Sequence, residues 1–384
     1  VDMLKLKVSY GIQGNDNLGG YYPYADQYTH SYNEDTGEYS LTLSSRGNKD
    51  LTWETSKALN VGVDFELFHG YFNGTVEWYA RKTEDLLYSK NLPLSMGAPS
   101  TMPINVGSIM NTGVEVSLYG NIINTAKVHW TWNINMSHYK NTILELDPSV
   151  SEKGIRGSNY IYKVGGSLYD AYMYKYAGVD PENGQALYWK HDDETGEDST
   201  TPVFSDATRY ELGTVMPKLY GGFGTSLTAY GFDFSAQASF QLGGKFYDGG
   251  YQSLMWTQKS AGSAWHKDAL KAWTPENPNT DVPRMDGDTQ VAQSAVDRFL
   301  ITSNYLSLNN VTLGYTFPKS LLNKIKVAGL RVYVAGENLG VLAARKGIDP
   351  RFSMGLGSYT SGSGIGTSYY SAMRTITGGI TLTF

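Results

Sequence analysis

The sequence predicts an all-β protein whose long antiparallel strands cross a membrane as part of a barrel. Three observations predict this class: apolar and polar residues alternate in many segments, several alternating runs reach about ten residues, and short connections alternate with long ones. The 384 residues include 30 Tyr, 8 Trp and 43 Gly. Aromatic residues suit pleated surfaces and glycine suits tight turns, so this composition favours many strands over long helices.

Alternation recurs along the chain, and successive residues of a strand point to opposite faces. The clearest run is "FDFSAQASFQL" at 232–242, where Phe, Ala and Leu share one face and Asp, Ser and Gln share the other. Other alternating segments lie at 4–10, 59–67, 72–78, 114–118 and 128–136, and further strands are predicted at 217–229, 304–317, 327–338 and 372–384. The last segment keeps its apolar face up to Phe384, the final residue.

The length of these runs favours a membrane strand over a soluble one. Strands of soluble sheets usually have about five or six residues. A tilted strand needs about ten residues to cross a bilayer, and one of its faces then lines a wet interior. We therefore expect the apolar faces, with Trp78, Trp130, Trp132, Phe232 and Phe240, to contact lipid. A soluble carbohydrate-binding β protein remains an alternative.

The connections differ in length on the two sides of the predicted sheet. They are short between Leu67 and Phe72, between Tyr230 and Phe232, and at 122–127. They are long at 14–52, 84–109, 244–303 and 339–371. Short periplasmic turns and long extracellular loops are typical of outer-membrane barrels. The chain contributes about 12 crossings if 169–189 forms an outward-and-back pair, and about 10 if that segment stays in a loop.

Composition excludes several other classes. A net charge of −6 disfavours a nucleic-acid partner, and zero cysteine excludes disulfides and thiolate metal sites. The sequence contains no apolar run long enough for a membrane helix. Val1 starts almost inside a strand pattern without the features of a signal peptide, which predicts a mature fragment.

No catalytic residue, metal site or cofactor is predicted, and the protein is not expected to be an enzyme. The six histidines are scattered, and His129 and His138 fall on opposite faces of one strand. The acidic run 191–198 could hold calcium through its carboxylates, but it lacks the spaced pattern of a calcium loop. A solvated extracellular tip is the favoured interpretation of this run. The five carboxylates concerned are Asp192, Asp193, Glu194, Glu197 and Asp198.

The candidate ligand-binding residues are four aromatics in the long connection 244–303: Tyr251, Trp256, Trp265 and Trp273. Aromatic faces could stack on sugar rings or grip apolar side chains of peptides. The alternative, which we favour, is that they pack a small core of the loop itself, around a helix near "AWHKDALKAW" (264–273).

Six segments of the chain together carry a family resemblance. They are "NVGSIMNTGVEVSL" (105–118), "YKYAGVDPENGQALYW" (174–189), "PKLYGGFGTSLTAYGFDFSAQASFQLGGKFYD" (217–248), "WTPENPNTDVPRM" (273–285), "NYLSLNNVTLGYTFP" (304–318) and "LRVYVAGENL" (330–339). These segments resemble the C-terminal half of the SusC/RagA family of TonB-dependent outer-membrane transporters of Bacteroidetes. The resemblance runs in order along nearly the whole chain.

This resemblance implies a barrel of about 22 strands, of which residues 1–384 supply the C-terminal portion. The plug and the first barrel strands would lie outside this chain, and so would the segment that contacts TonB. The implied function is TonB-driven import of a nutrient, a glycan or an oligopeptide, with a SusD-like surface lipoprotein as partner. A passive porin or adhesin barrel is the main alternative. Under either view the remaining partners are outer-membrane lipid and the other half of the barrel.

Overall fold

A computed structural model describes residues 1–17, 21–97, 99, 101–157, 159–255, 262–285, 296–322, 327–346, 349–352 and 372–384. The strands are β1 (Met3–Asn15), β2 (Gln27–Asn33), β3 (Glu38–Ser45), β4 (Glu54–Leu67), β5 (Phe72–Glu84), β6 (Leu87–Asn91), β7 (Thr101–Asn105), β8 (Gly107–Asn124), β9 (Val128–Leu146), β10 (Ile155–Arg156), β11 (Ile161–Tyr162), β12 (Asp170–Tyr174), β13 (Tyr176–Val179), β14 (Ala186–His191), β15 (Asp198–Thr201), β16 (Arg209–Thr214), β17 (Leu219–Ala229), β18 (Phe232–Leu242), β19 (Lys245–Tyr247), β20 (Leu300–Thr302), β21 (Tyr305–Thr316), β22 (Gly329–Ala343) and β23 (Thr375–Thr383).

Helices are short in the described parts of the chain. They are α1 (Pro148–Ser151), α2 (Gly249–Met255) and α3 (Lys319–Leu322), with single 3-10 turns at Leu94–Met96, Phe204–Asp206, Lys267–Lys271, Asp297–Phe299 and Pro350–Phe352. No described helix combines the length and the apolar character that a membrane crossing requires.

One antiparallel sheet of ten strands organises the chain, in the order β1-β4-β5-β8-β9-β17-β18-β21-β22-β23. Each strand pairs with the next long strand along the chain, which confirms the predicted antiparallel all-β class. The segment 169–189 does not cross with this sheet. Its strands β12, β13 and β14 belong to two small sheets in the connection between β9 and β17, so the lower of the two predicted strand counts agrees with the structure.

One face of this sheet is apolar from edge to edge. The register aligns Leu6 with Val63, Val63 with Val76, Val76 with Val116, and Val116 with Met136. The same face continues through Phe223, Phe234, Leu313, Val334 and Ile380 on the later strands. A single shared face requires that every pair keeps its register, because a slip of one residue would turn a strand over.

This apolar face is not enclosed by the described parts of the chain. Val334 and Ile380 are 57% and 70% exposed, and Leu382 is 50% exposed. Val116, Trp132 and Phe234 are only partly buried. The expectation that these side chains avoid a dry protein interior is therefore confirmed. The opposite face carries Lys, Asp, Glu, Asn, Gln, Ser and Thr at most positions of the same strands, for example Asp64, Thr75, Ser117, Asn135 and Gln237.

The two ends of the sheet differ in their connections. On one side the strands are joined at 68–71, 125–127, 230–231 and 317–328, and on the other at 16–53, 85–106, 147–218, 243–304 and 344–374. Tyr230 and Gly231 have φ of 50° and 89°, the positive values that a tight hairpin with the right twist needs. The predicted asymmetry of turns and loops is present.

The pairing of β21 and β22 is irregular near the outer ends of these strands. Asn309 is an extra residue of β21 between the pairs Gln237 with Asn310 and Ala238 with Leu308. On β22, Asn338 and Leu339 lie between the pairs made by Asn310 and Leu308, and Asn338 has φ of 49°. These bulges let the ladder resume, so β22 continues to Ala343 rather than ending near residue 338 as the sequence pattern predicts.

The apolar stripe has the height of a bilayer core. On β4, β5 and β9 it runs over nine residues each, at 59–67, 72–80 and 128–136. Nine residues span about 27 Å along a strand, and a tilt of about 40° reduces this to about 21 Å, near the ~25 Å apolar band of outer-membrane barrels.

A charge placed on the middle of the apolar stripe tests which face meets hydrocarbon. We expect Val116→Lys to destabilise the folded barrel by about 2–4 kcal/mol, because a lysine would then lie at the bilayer midplane. Ser117→Lys on the polar face is the matched control and should assemble normally. The measurement is the heat-modifiable, protease-resistant fraction of the complete barrel protein in isolated membranes. Equal loss for both variants would contradict the assignment of faces.

Candidate functional site

The polar face of the ten-stranded sheet forms a recess near the short-turn end. Its volume is about 510 Å³, and its polar lining includes Asp64, Asn73, Thr75, Ser117 and Asn135. Lys7 Nζ lies 2.6 Å from the Asp64 carboxylate, and Thr75 Oγ1 donates to the same group at 2.9 Å. Hydroxyls, amides and paired charges of this kind make a wall that water can wet.

The two longest outer connections share one apolar core above the sheet, which we call the outer-loop core. The first connection, 147–218, contributes Tyr160, Ala171, Met173, Ala186, Tyr188 and Val215, and the second, 243–304, contributes Tyr247, Tyr251, Met255, Val282, Val296 and Phe299. Both loops bury side chains against each other, so neither can move far without exposing the apolar surface of the other.

A buried ion pair ties a third outer connection to this core. Arg345, just after β22, donates from Nη1 to Asp248 Oδ2 at 2.6 Å, and its guanidinium carbon lies 3.7 Å from the Tyr251 ring centroid. The Asp248 side chain is only 3% exposed. Its other oxygen accepts from the Tyr251 backbone N–H at 2.9 Å, which begins helix α2. The carboxylate therefore joins the connection after β22 to the connection after β18.

Burial changes the protonation of carboxylates around the outer-loop core. Desolvation raises the pKa of Asp248 above its ordinary value of 3.8, and Arg345 and the Tyr251 N–H only partly oppose this effect. Desolvation also raises the pKa of Asp297, whose carboxylate accepts from the Tyr176 backbone N–H at 2.8 Å. The pKa of both carboxyl groups is therefore higher in the folded loops than in the unfolded chain.

Of the four predicted aromatic residues, two lie within the packing of the outer loops. Tyr251 is 9% exposed and belongs to the outer-loop core. Trp273 is partly buried, and its Nε1 donates to the Pro181 carbonyl at 3.1 Å. Its ring lies against Gly184, where an added Cβ would come within 2.5 Å of the indole and where φ is +74°. Trp273 therefore holds the "DPENG" turn between β13 and β14 onto the second connection.

The other two aromatics differ. Trp265 is 43% exposed beside the 3-10 turn Lys267–Lys271, which replaces the longer helix expected near "AWHKDALKAW". Trp256 lies outside the described residues. The structure brings Tyr251 and Trp273 into the outer loops and leaves Trp265 at their surface. Ligand binding by any of the four stays a prediction.

The acidic run 191–198 forms a hairpin tip between β14 and β15. Asp192 accepts from the backbone N–H groups of Glu194 and Thr195, and His191 Nδ1 lies 2.8 Å from Asp198. These bonds are local turn contacts. Within the described ranges no group of three or more His, Asp or Glu side chains is placed to hold a metal ion.

Sequence reasoning missed the Asp248–Arg345 pair, because 97 residues separate its members and neither stands in a recognisable motif. It also missed the grouping of polar side chains into a recess. The only signal for that recess is the alternation itself, which assigns Asp64, Thr75 and Ser117 to the same face before any register is known.

Comparison with known proteins decides the family. A family model described as "TonB dependent receptor-like, beta-barrel" matches residues 3–339. The chain belongs to this family. The TonB-dependent receptor P3 of Formosa agariphila is 29% identical over 99% of this chain and 39% of its own length. The TonB-dependent receptor SusC of Bacteroides thetaiotaomicron is 28% identical over 92% of this chain and 36% of its own length.

Solved structures agree with this TonB-dependent receptor assignment. The structure of the RagAB peptide transporter matches with a TM-score of 0.80 and 27% identity, over 99% of this chain and 41% of that chain. The RagAB peptide importer in its "closed-closed" state matches with a TM-score of 0.78 and 28% identity. The chain thus spans about two fifths of the length of these relatives, and it resembles the SusC/RagA group as the sequence predicts.

This TonB-dependent receptor barrel is an outer-membrane protein of a family of transporters and receptors, not of enzymes. The apolar face of the sheet is therefore its lipid-facing surface, and the polar face with the recess lines the barrel interior. The location removes the soluble carbohydrate-binding alternative. The long connections, with the outer-loop core, lie on the extracellular side.

The stability of the outer loops should depend on pH through Asp248. Its raised pKa means that the folded loops keep a proton over a range above pH 3.8 in which the unfolded chain has released it. Stability therefore falls as the pH rises through that range. Limited proteolysis of the outer loops of the complete barrel, followed against pH, measures this dependence. Asp248→Asn should flatten it and the exposed-tip variant Asp193→Asn should not, so an unchanged profile for Asp248→Asn would contradict the assignment.

Proposed function

We propose that residues 1–384 are the C-terminal portion of a larger barrel of about 22 strands, with a plug and the first strands in a preceding part of the same protein. Two observations support this. The chain spans about two fifths of its relatives. Strands β1 and β23 stand at the two edges of the described sheet. Open edges leave backbone groups without partners in lipid, and further strands would satisfy them.

The proposed function is TonB-driven import of a nutrient across the outer membrane. The observation that carries it is membership in the TonB-dependent receptor barrel family across residues 3–339, on a sheet with one lipid-facing and one wetted face. A wetted interior supplies the route, and the proton-motive energy would reach it through a TonB-contacting segment outside this chain. The proposed cargo is an oligopeptide or a glycan, and the RagAB transporters, described as peptide importers, favour the peptide.

A SusD-like surface lipoprotein is the proposed partner on the extracellular side. Such a partner needs an extracellular surface of fixed shape on the transporter. The outer loops provide this surface, because two long connections bury a common apolar core and the Asp248–Arg345 pair joins a third connection to them. The support is the rigidity of this surface together with the SusC/RagA likeness of the chain.

Uptake by cells tests the import proposal. We expect a strain lacking the complete protein to lose uptake of a labelled oligopeptide or glycan mixture, and a strain lacking TonB to lose it equally, because a plugged barrel needs energy to open. Complementation with the intact gene is the control. Uptake that survives the loss of TonB but not of the barrel would favour the passive porin alternative. Separate growth tests on peptides and on glycans then distinguish the two cargo classes.

The exposed and packed tryptophans should behave differently on substitution. Trp265→Ala should weaken binding of the imported ligand about tenfold, because an aromatic side chain that is 43% exposed at the loop surface is lost. Trp273→Ala should instead destabilise the outer loops by about 1–3 kcal/mol, because its ring fills the space beside Gly184. Ligand titration by fluorescence and loop proteolysis separate the two effects. Normal binding by the Trp265 variant would remove this residue from the ligand candidates.

A further inference from the structure

The lipid-facing surface carries its charges in one place. Between the bulges of the described sheet, where side chains alternate regularly, four lipid-facing positions hold charged side chains. They are Lys57 on β4, Lys82 and Glu84 on β5, and Lys140 on β9. The other charged strand residues there, such as Lys5 and Asp233, face the interior. Three of the four lipid-facing charges are positive, and all lie on a stretch of four adjacent strands.

These residues lie just outside the apolar stripe, on the extracellular side. Lys57 is two residues before Leu59, where the stripe begins on β4, and Lys82 is two residues beyond Ala80, where it ends on β5. Lys140 follows the stripe of β9 in the same direction, towards the long connection at 147–218. This height is that of the lipid headgroups, where the amine of a lysine meets water and lipid phosphates together.

The local geometry leaves the patch with surplus positive charge. Lys57 and Lys82 are direct register partners, an arrangement that is unfavourable for two like charges. Glu84 offsets one of them, with its carboxylate 2.5 Å from Lys57 Nζ and 3.0 Å from Lys82 Nζ. Lys140 is exposed and forms no ion pair with the described residues. The three lysines and Glu84 leave two positive charges, and Glu145, which pairs with Ser108 on the same face beyond the bulge of β9, reduces this surplus to one.

The lysines are close enough to act on one headgroup. Lys82 pairs with Met110, Met110 pairs with Thr142, and Lys140 is two residues from Thr142. Two strand spacings across and two residues along place the backbones of Lys82 and Lys140 about 12 Å apart. Lysine side chains extend about 6 Å, so both amines can reach the phosphates of a single lipid headgroup.

We propose that Lys57, Lys82 and Lys140 form a binding site for a phosphate-bearing lipid headgroup of the outer leaflet. Charge complementarity is the argument for this occupant, because a surface that faces lipid and carries surplus positive charge at headgroup height meets anionic headgroups. Glu84 holds Lys57 and Lys82 side by side and limits the net charge. The site is separate from the import route, since its side chains are on the opposite face of the sheet from the recess.

A lipid-binding measurement on the complete barrel protein tests this site. The protein is placed in nanodiscs of neutral phosphatidylcholine with a trace of fluorescent lipid A, which carries two phosphates. We expect Lys82→Gln/Lys140→Gln to weaken lipid A binding about tenfold or more. The control Lys5→Gln/Arg81→Gln removes the same charge from interior-facing positions and should bind like the unmodified protein. Glu84→Gln should bind more tightly, because the offsetting charge is gone.

Three results would overturn the proposal. They are equal binding by the lipid-facing double variant, equal binding of dephosphorylated lipid A, and displacement of lipid A by inorganic phosphate alone, which would indicate a free-anion site instead. Should the double variant fail to assemble, the Glu84→Gln variant still decides the matter through its opposite expected direction. Since no transport is measured, failure of this proposal and failure of the import proposal are distinguishable.

Discussion

The structure depends on the requirement that every peptide group within hydrocarbon finds a partner inside the protein. Lipid tails accept and donate nothing, so strands can cross only when each ladder is complete. Nine antiparallel pairings in the described sheet meet this requirement from β1 to β23, and only the outer edges of these two strands lack a partner strand there. Once the ladders are in place, alternation of side chains follows automatically. The lipid-facing stripe and the wetted interior are thus two results of one hydrogen-bonding rule.

Outside the membrane the chain no longer needs complete strand ladders, and it adopts a different kind of structure. The outer connections use small sheets of two or three strands, single helical turns and a shared apolar core. There a buried carboxylate such as Asp248 is tolerated because Arg345 and the Tyr251 backbone N–H donate hydrogen bonds to it. The sheet therefore provides a rigid frame, and specificity can be built on loops that the bilayer does not constrain.

The sequence predicted the strands well because their signal is local. Val116 and Ser117, for example, are assigned to opposite faces by the period of two alone, and the partner strands need not be known. Strand ends were less well predicted. β22 runs to Ala343 because pairing resumes after Asn338 and Leu339, although alternation is interrupted there. The sequence allows two strand counts, because "DPENG" is compatible with a turn in a membrane hairpin and equally with a turn in a small extracellular sheet.

The site was less predictable than the fold, for a physical reason. Tyr251 and Trp273 were selected for their aromatic faces, but whether such a face packs or remains free depends on distant residues such as Phe299 and Gly184. The Asp248–Arg345 contact likewise joins two outer connections with no pattern common to both. Contacts between loops depend on how the barrel positions their bases, and this information is not contained in any short window of sequence.

The bulge at Asn309 has a consequence for how such a chain can change over evolutionary time. On β21 the lipid-facing residues are even-numbered at Leu306 and Leu308 and odd-numbered from Val311 onward, because the extra residue Asn309 shifts the phase. If Asn309 were instead paired in a regular ladder, Ser307 would face the hydrocarbon and the two leucines would face the barrel interior. A single-residue insertion in a crossing strand is therefore accepted only where a bulge of this kind takes up the extra residue. The extracellular connections can gain or lose residues freely, and this is where relatives can diverge in length.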